Sequence, residues 1–241
     1  MSSVPGPSRA LASERQEVTS AEIALGAIQS RLWTGQQLAG DAPLYRMALS
    51  FRIAGALDPE RLAQAYELLV AERDVLRSSI EEDASGRLSW KVSDHGEPLL
   101  LVEGLPSVEA AEAWCQARVS QPFDPAAPLI ETALLSVEEN AHVLYMAQHH
   151  VIADAWSSAL GFERLSDLYA GLEQGESAAA LAKSLPAGRQ YAEYLSHEKR
   201  FAATDSSVRA RAYWEDVHNG EGPPTAGLYG DPGAERGQDR S

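Results

Sequence analysis

Gln148-His149-His150-Val151-Ile152-Ala153-Asp154-Ala155-Trp156-Ser157 is the stretch on which the reading of this chain turns. It closes an apolar run over 142–150 whose alternation predicts a strand, and leads into helical spacing over 155–172. Imidazole suits proton movement near neutral pH, and a strand end followed by a carboxylate presents such a ring on a rigid support. Side chains alternate across a strand, so His149 and His150 are expected on opposite faces, and one imidazole at most can face a given cleft. That geometry also argues against a metal site, because His-His-x-x-x-Asp lacks further converging ligands. The plainer readings are a strand-end histidine with satisfied nitrogens, and Asp154 as the N-cap of a helix whose inner face is Trp156, Leu160, Leu165, Leu168 and Leu172.

Working outward, residues 1–18 are rich in Ser, Pro and Ala and predict a flexible N-terminal tail. Thr19 and Glu22 form a capping-box pattern that predicts a helix start, with Leu25, Ile28 and Leu32 as its buried face. Tyr45, Met47, Leu49, Phe51 and Ile53 alternate as a strand. Asp58-Pro59 reads as N-cap and first turn of a second helix, with Leu62, Tyr66, Leu69 and Val70 inside. Short strands are expected at 75–82, 87–92 and 98–103, a helix at 107–119, strands near 129–137 and 142–150, and helices at 155–172, 189–201 and 206–217. This order predicts an α/β fold, a mixed β-sheet covered by helices. Residues 19–218 form the expected folded lobe. Gly, Pro and charged residues dominate 219–241, which is expected to be a disordered tail or a segment joining two lobes.

Composition narrows the function classes. A chain of 241 residues can bury a proper core. Its formal charge of −15 argues against nucleic acid, since phosphate binding needs a clustered basic surface. No apolar run approaches a membrane span, and the N-terminus lacks a secretory pattern, so a membrane partner is not expected. The lone cysteine, Cys115, excludes an internal disulfide framework and fits a reducing cytoplasm. It is expected to be a buried, inert thiol, having no basic neighbour in sequence to activate it. Ser157 and Ser158 lack a positioned base and are not read as nucleophiles.

His149-His150-Val151-Ile152-Ala153-Asp154-Ala155-Trp156-Ser157 resembles the HHxxxDG motif of nonribosomal peptide synthetase condensation domains, of the chloramphenicol acetyltransferase-like superfamily. Further segments agree in order: Leu25 to Trp33 resembles the family's first motif, Glu72 to Ile80 the second, Gln190 to Tyr194 the fourth, and Ala212-Tyr213-Trp214 the YW that follows. The resemblance implies amide formation between an acyl or peptidyl thioester and an aminoacyl acceptor, each carried on the phosphopantetheine of a carrier domain. It implies no cofactor bound by this lobe itself. His150 matches the histidine that takes a proton from the attacking amine or orients it, and sequence leaves both roles open. Asp154 is then expected in a buried ion pair with Arg77, or with Arg73, while His149 and Ala155 support the site.

Three departures from the family pattern stand out. Ala155 replaces the usual glycine, and its methyl is expected to narrow the channel. Glu131 stands where relatives commonly show arginine, with no consequence derivable from sequence. The motifs of a second lobe are absent, so the chain reads as an N-terminal lobe, whether excised, split or degenerate, with the C-terminal lobe and carrier domains as partners. Read as a natural start, Met1 would leave the donor to arrive from another protein or as a free thioester. One lobe alone is expected to be weakly active or inactive. Ester formation with an alcohol acceptor, and a non-catalytic carrier- or lobe-binding module, remain as alternative functions. Lys183, Arg189, Lys199, Arg200, Arg209 and Arg211 read as solvated helix faces, or as a docking surface for an acidic carrier.

Overall fold

Alternation at period two gives the strands of the principal sheet, and the turn chemistry between them sets its order. The structure, a computed structural model, describes residues 23–124, 126–138, 140–184 and 190–219. The tail expected over 1–18 lies outside these residues, as does all of 219–241 except its first residue. The chain divides into two units, 1–196 and 197–241.

In the first unit, β2 (Arg46–Ala54), β7 (Ala141–His149), β6 (Ile130–Glu138) and β5 (Leu100–Val102) form one sheet in the order β2-β7-β6-β5. Its β5–β6 pair is parallel and the other pairs are antiparallel, so the sheet is mixed, as expected. A smaller antiparallel sheet has the order β1-β4-β3, from β1 (Ile23–Ala24), β4 (Leu88–Val92) and β3 (Ser78–Glu82). Strand β7 is buried along nearly its whole length, because helices cover both faces of the larger sheet. On one face Leu134, Leu144 and Met146 pack with Tyr66 and Leu69 of α2 (Pro59–Glu72) and Leu165 and Leu168 of α4 (Ala155–Glu173). On the other, Ala133, Leu135, Val143 and Tyr145 pack with Ala111 of α3 (Val108–Val119). Helix α2 begins at the cap the sequence indicates, where Asp58 accepts from the Arg61 amide at 3.0 Å; α3 is capped by Ser107, which accepts from the Ala110 amide at 3.2 Å.

Two helices differ from expectation. The first, α1 (Ala27–Ala39), starts at Gly26, whose amide donates to Gln29 Oε1 at 2.9 Å, whereas the cap expected at Thr19 and Glu22 lies outside the described residues. Its buried face is Gln29 and Trp33, while Ile28 is 64% exposed. In α4, Leu165 and Leu168 are buried, but Trp156 is 73% and Leu160 48% exposed, so its first two turns do not share the expected inner face. A short helix, α5 (Ala178–Ser184), was not foreseen; it seats Leu181 in the core. The 75–82 strand is shorter than expected, since Asp74–Arg77 coils as a 3-10 turn before β3.

The helix α6 (Tyr191–Ala202) ends in the second unit, which also holds α7 (Asp205–Asn219). Within α7 Trp214 stacks on His218 at 6.0 Å and meets the Tyr213 ring edge-on at 5.3 Å. No helix among the described residues is long and apolar enough to cross a membrane.

The burial of α4 makes a direct prediction. Leu168→Ala should destabilise the fold by about 2–5 kcal/mol in urea titration, the usual range for a leucine deleted from a packed core. Leu160→Ala, on the exposed turn, should cost less than about 1 kcal/mol by the same measurement.

Candidate active site

The site is built at the end of β7, where the chain must leave a fully buried strand and start a helix. His149 is the last strand residue; its amide donates to the Leu129 carbonyl at 3.0 Å. The Ile152 amide donates back to the His149 carbonyl at 3.0 Å, closing a tight turn that throws residue 150 outward. The His150 amide is held by the Tyr45 carbonyl at 2.8 Å. Its ring is exposed, whereas Val151, Ile152 and Ala153 around it are buried. The two histidines therefore face apart as expected, although the turn and not a continued strand places residue 150.

Hydrogen bonding fixes the protonation pattern of both rings. His150 Nδ1 lies 2.8 Å from the Ala153 carbonyl oxygen. A carbonyl can only accept, so Nδ1 carries the proton and Nε2 keeps its lone pair. His149 is the reverse: its Nδ1 accepts from the Val151 amide at 3.1 Å, which puts the proton on Nε2. That Nε2 is buried without a hydrogen-bond partner among the described residues, and the rings of Trp33, Tyr45 and Phe123 surround the imidazole at about 6 Å between centroids. Burial pushes His149 down to about 4, with the neighbouring His150 adding to the effect. His149 thus stays neutral and acts as an apolar wall behind His150.

Asp154 does not form the buried ion pair expected from the resemblance. It is exposed, and its carboxylate accepts from the Ser157 amide at 2.8 Å and from the Ser157 hydroxyl, bonds that hold it below the usual carboxylate range. The Asp154 amide in turn donates to Ser157 Oγ at 3.1 Å. This reciprocal cap satisfies orphan amides at the start of α4, in line with the plainer reading. The candidate partners lie elsewhere. Arg77 donates through Nη1 to the Ser93 carbonyl at 2.5 Å, and Arg73 pairs with Glu72 at 2.8 Å. Ala155 is the first residue of α4 and is exposed, a position where alanine is fully compatible with helix. Ser158, the buried hydroxyl of the pair after the motif, donates to Gln148 Oε1 at 2.7 Å and is committed to structure.

Glu131 acquires a role that sequence did not reveal. It lies on β6 beside the motif strand, and pairs with Arg46 from β2 and Arg118 from α3. The Arg46 side chain is only 3% exposed; its Nη2 also donates to Tyr145 Oη at 3.2 Å, and its guanidinium sits 4.2 Å over the Phe123 ring. Reversal of charge at 131 is thus answered by a buried cation on the edge strand β2, across β7. Cys115 is half-buried rather than fully buried, and burial pushes its thiol up, which keeps it unreactive. Lys199, Arg200, Arg209 and Arg211 are exposed, while Arg189 lies outside the described residues.

Comparison with known proteins identifies the family. The sequence model of the Condensation domain family matches residues 19–241, and the chain belongs to that family. Bacitracin synthase 3 of Bacillus licheniformis is 27% identical over 200 residues, covering 83% of this chain and 3% of that protein. Tyrocidine synthase 3 of Brevibacillus parabrevis is 29% identical over 201 residues, covering 83% of this chain and 3% of that protein. Among solved structures, the starter condensation domain of rhizomide synthetase RzmA superposes with a TM-score of 0.73 at 25% identity, over 82% of this chain and 48% of that one. The first condensation domain of the calcium-dependent antibiotic synthetase, in complex with a substrate analogue, gives 0.72 at 26% identity, over 85% and 49%. The chain therefore has the fold of one chloramphenicol acetyltransferase-like lobe, and spans about half the length of the condensation domains it matches.

Two measurements test the electrostatics. Glu131→Gln leaves the buried Arg46 guanidinium without its counter-charge and should cost about 3 kcal/mol in denaturant titration. Arg118→Gln, which removes the more exposed partner, should cost less than about 1 kcal/mol. The second concerns acid. An unfolded chain protonates His149 near 6.5, the folded chain only at about 4, so protons favour the unfolded state between these values. The stability that neutral His149 contributes is complete above pH about 6.5 and is lost as pH falls toward 4, by about 3 kcal/mol. In His149→Gln this part of the slope of unfolding free energy against pH over 4–6.5 should vanish.

Proposed function

We propose that this lobe supplies the base-bearing half of a condensation domain that forms an amide bond between two carrier-tethered substrates. The observation that carries the reading is the exposed His150 ring with Nδ1 committed to the Ala153 carbonyl, which leaves Nε2 free as an acceptor. Membership of the Condensation domain family supports it. So does the name of another relative, nonribosomal peptide synthetase kk1B of Curvularia clavata, which favours an amine over an alcohol acceptor.

In the reaction, the amine of an aminoacyl group attacks the carbonyl of an acyl or peptidyl thioester. The new C–N bond forms as the C–S bond breaks, and the departing phosphopantetheine sulfur ends as a thiol. His150 Nε2 accepts the proton that the amine sheds, or holds the amine in line while charge develops. The Tyr45 carbonyl and the tight turn after β7 keep the ring on one bearing, the condition for an oriented encounter. His149 stays uncharged beside it, so no like charge opposes an imidazolium at 150. Asp154 works through the helix cap, and Ala155 adds a methyl next to the motif turn, where the family has glycine.

The partners on this reading are donor and acceptor carrier domains and the C-terminal lobe, which supplies the facing wall. Exposed Lys199, Arg200, Arg209 and Arg211 offer positive charge for an acidic carrier. The lobe binds no cofactor of its own; phosphopantetheine enters on the carriers. The setting is the cytoplasm, where the lone thiol remains reduced.

One assay tests the reading: this chain supplied with a C-terminal lobe and with loaded donor and acceptor carriers. His150→Ala should lower product formation by about 100-fold or more, the usual contribution of a positioned general base. Ala155→Gly should raise turnover above the parent. Comparable yields from parent and His150→Ala would overturn the assignment of the base, and no gain from Ala155→Gly would remove the steric role of the methyl.

A further inference from the structure

Gln29 is buried, and every hydrogen-bonding valence of its amide is used. Oε1 accepts from the Gly26 amide at 2.9 Å and from Trp90 Nε1 at 3.3 Å. Nε2 donates to Tyr191 Oη and, at 3.2 Å, to the carbonyl of Val151. Those four partners come from the start of α1, from β4 of the smaller sheet, from the start of α6, and from the turn after β7 of the larger sheet. The Val151 carbonyl lies inside the loop that closes the His150 ring onto the Ala153 carbonyl.

We propose that Gln29 is a positioning residue for His150: its amide pins the Val151 carbonyl and thereby sets the Ala153 carbonyl where it selects the Nδ1–H tautomer. Histidine in water favours the opposite tautomer, with the proton on Nε2, which would leave no lone pair on the exposed nitrogen. The turn must therefore impose the less favoured form. It does so with buried backbone, since Val151, Ile152 and Ala153 are all shielded from water. A buried carbonyl without a donor is costly, so loss of the Gln29 amide leaves the 151–152 peptide to turn toward another partner. The Ala153 carbonyl, two residues on, then loses its fixed bearing toward the ring. Tyr191 extends the chain of bonds: its hydroxyl accepts from Gln29, and its amide is anchored by Asp74 Oδ1 at 3.1 Å.

This inference rests on the reading of His150 as the acceptor of the amine proton, but its test does not depend on turnover. Long-range proton–nitrogen spectra of the full chain with labelled histidine report the tautomer of each of the six imidazoles, and His150→Asn assigns the resonance. The parent should show an unprotonated Nε2 at His150. Gln29→Leu should lower the ratio of Nδ1–H to Nε2–H tautomer by about fivefold, the effect of losing one ordinary hydrogen bond. Gln29→Met keeps the length of the side chain but offers no donor to the Val151 carbonyl, so it should shift the tautomer equally. Tyr191→Phe leaves the Val151 bond intact and should keep the parental signature whatever it does to the melting temperature. An unchanged His150 tautomer in either folded Gln29 variant overturns the proposal, as does an equal shift in Tyr191→Phe. Full activity of His150→Ala would instead sink the catalytic reading and leave the tautomer result standing.

Discussion

The hydrogen bond from His150 Nδ1 to the Ala153 carbonyl, 2.8 Å long, is the constraint on which the site depends. It spans three residues, and those residues can hold it only because the chain on either side is already fixed. Upstream, β7 is pinned between β2 and β6 and buried on both faces, so its last residue cannot slide. Downstream, the reciprocal Asp154–Ser157 cap fixes where α4 begins. A strand that ends and a helix that starts within five residues leave the intervening turn little freedom. The His150 ring then projects outward from a turn held on both sides.

Much of what surrounds this turn is buried polar structure rather than chemistry. Glu72 is buried between Arg73 and Arg164 and ties α2 to α4. The Asp74 amide donates to Gln190 Oε1 at 3.0 Å, and Gln190 Nε2 donates to the Glu72 carbonyl at 3.0 Å. Gln29 joins the same set through Tyr191 and Val151. Segments that resemble four separate family motifs thus meet in a web of side-chain and backbone bonds. Such bonds contribute little each, yet leaving one end unmade in a dry interior is expensive. Specific residue types at these positions follow from that asymmetry without any contact with substrate.

Local signals in the sequence carried the strands, the caps at Asp58 and Asp154, and the divergence of the two histidines, because each depends on neighbours only a few residues away. The start of α1 carries no such local signal. Thr19 and Glu22 make a good capping pattern, but Gly26 with Gln29 is the pair that closes the helix, and glycine offers no side chain to announce it. Helical spacing located the apolar stripe of α4 without saying which turns the sheet would cover; Leu165 and Leu168 are covered, Trp156 and Leu160 are not. The remaining surprises are contacts between distant segments. Gln29 reaches Val151 across 122 residues, and Arg46 reaches Glu131 across 85. No periodicity encodes such pairs. The odd sign of residue 131 was a hint that a cation waited somewhere on an adjacent element.

That pair also bears on how substitutions in this lobe should be interpreted. Arg46, opposite His149 in the strand register, holds its guanidinium over Phe123, whose ring in turn borders His149. A change at Glu131 would free Arg46 to seek water, and Phe123 and the wall behind His150 would move with it. Asp154 is similar: removing its carboxylate unmakes a helix cap next to the motif before it touches any reacting atom. Loss of activity on mutating either residue is what their structural bonds already require. A role in the reaction itself is argued for a group whose open valence faces outward and whose loss unmakes no structural bond of this kind; His150 Nε2 is such a group.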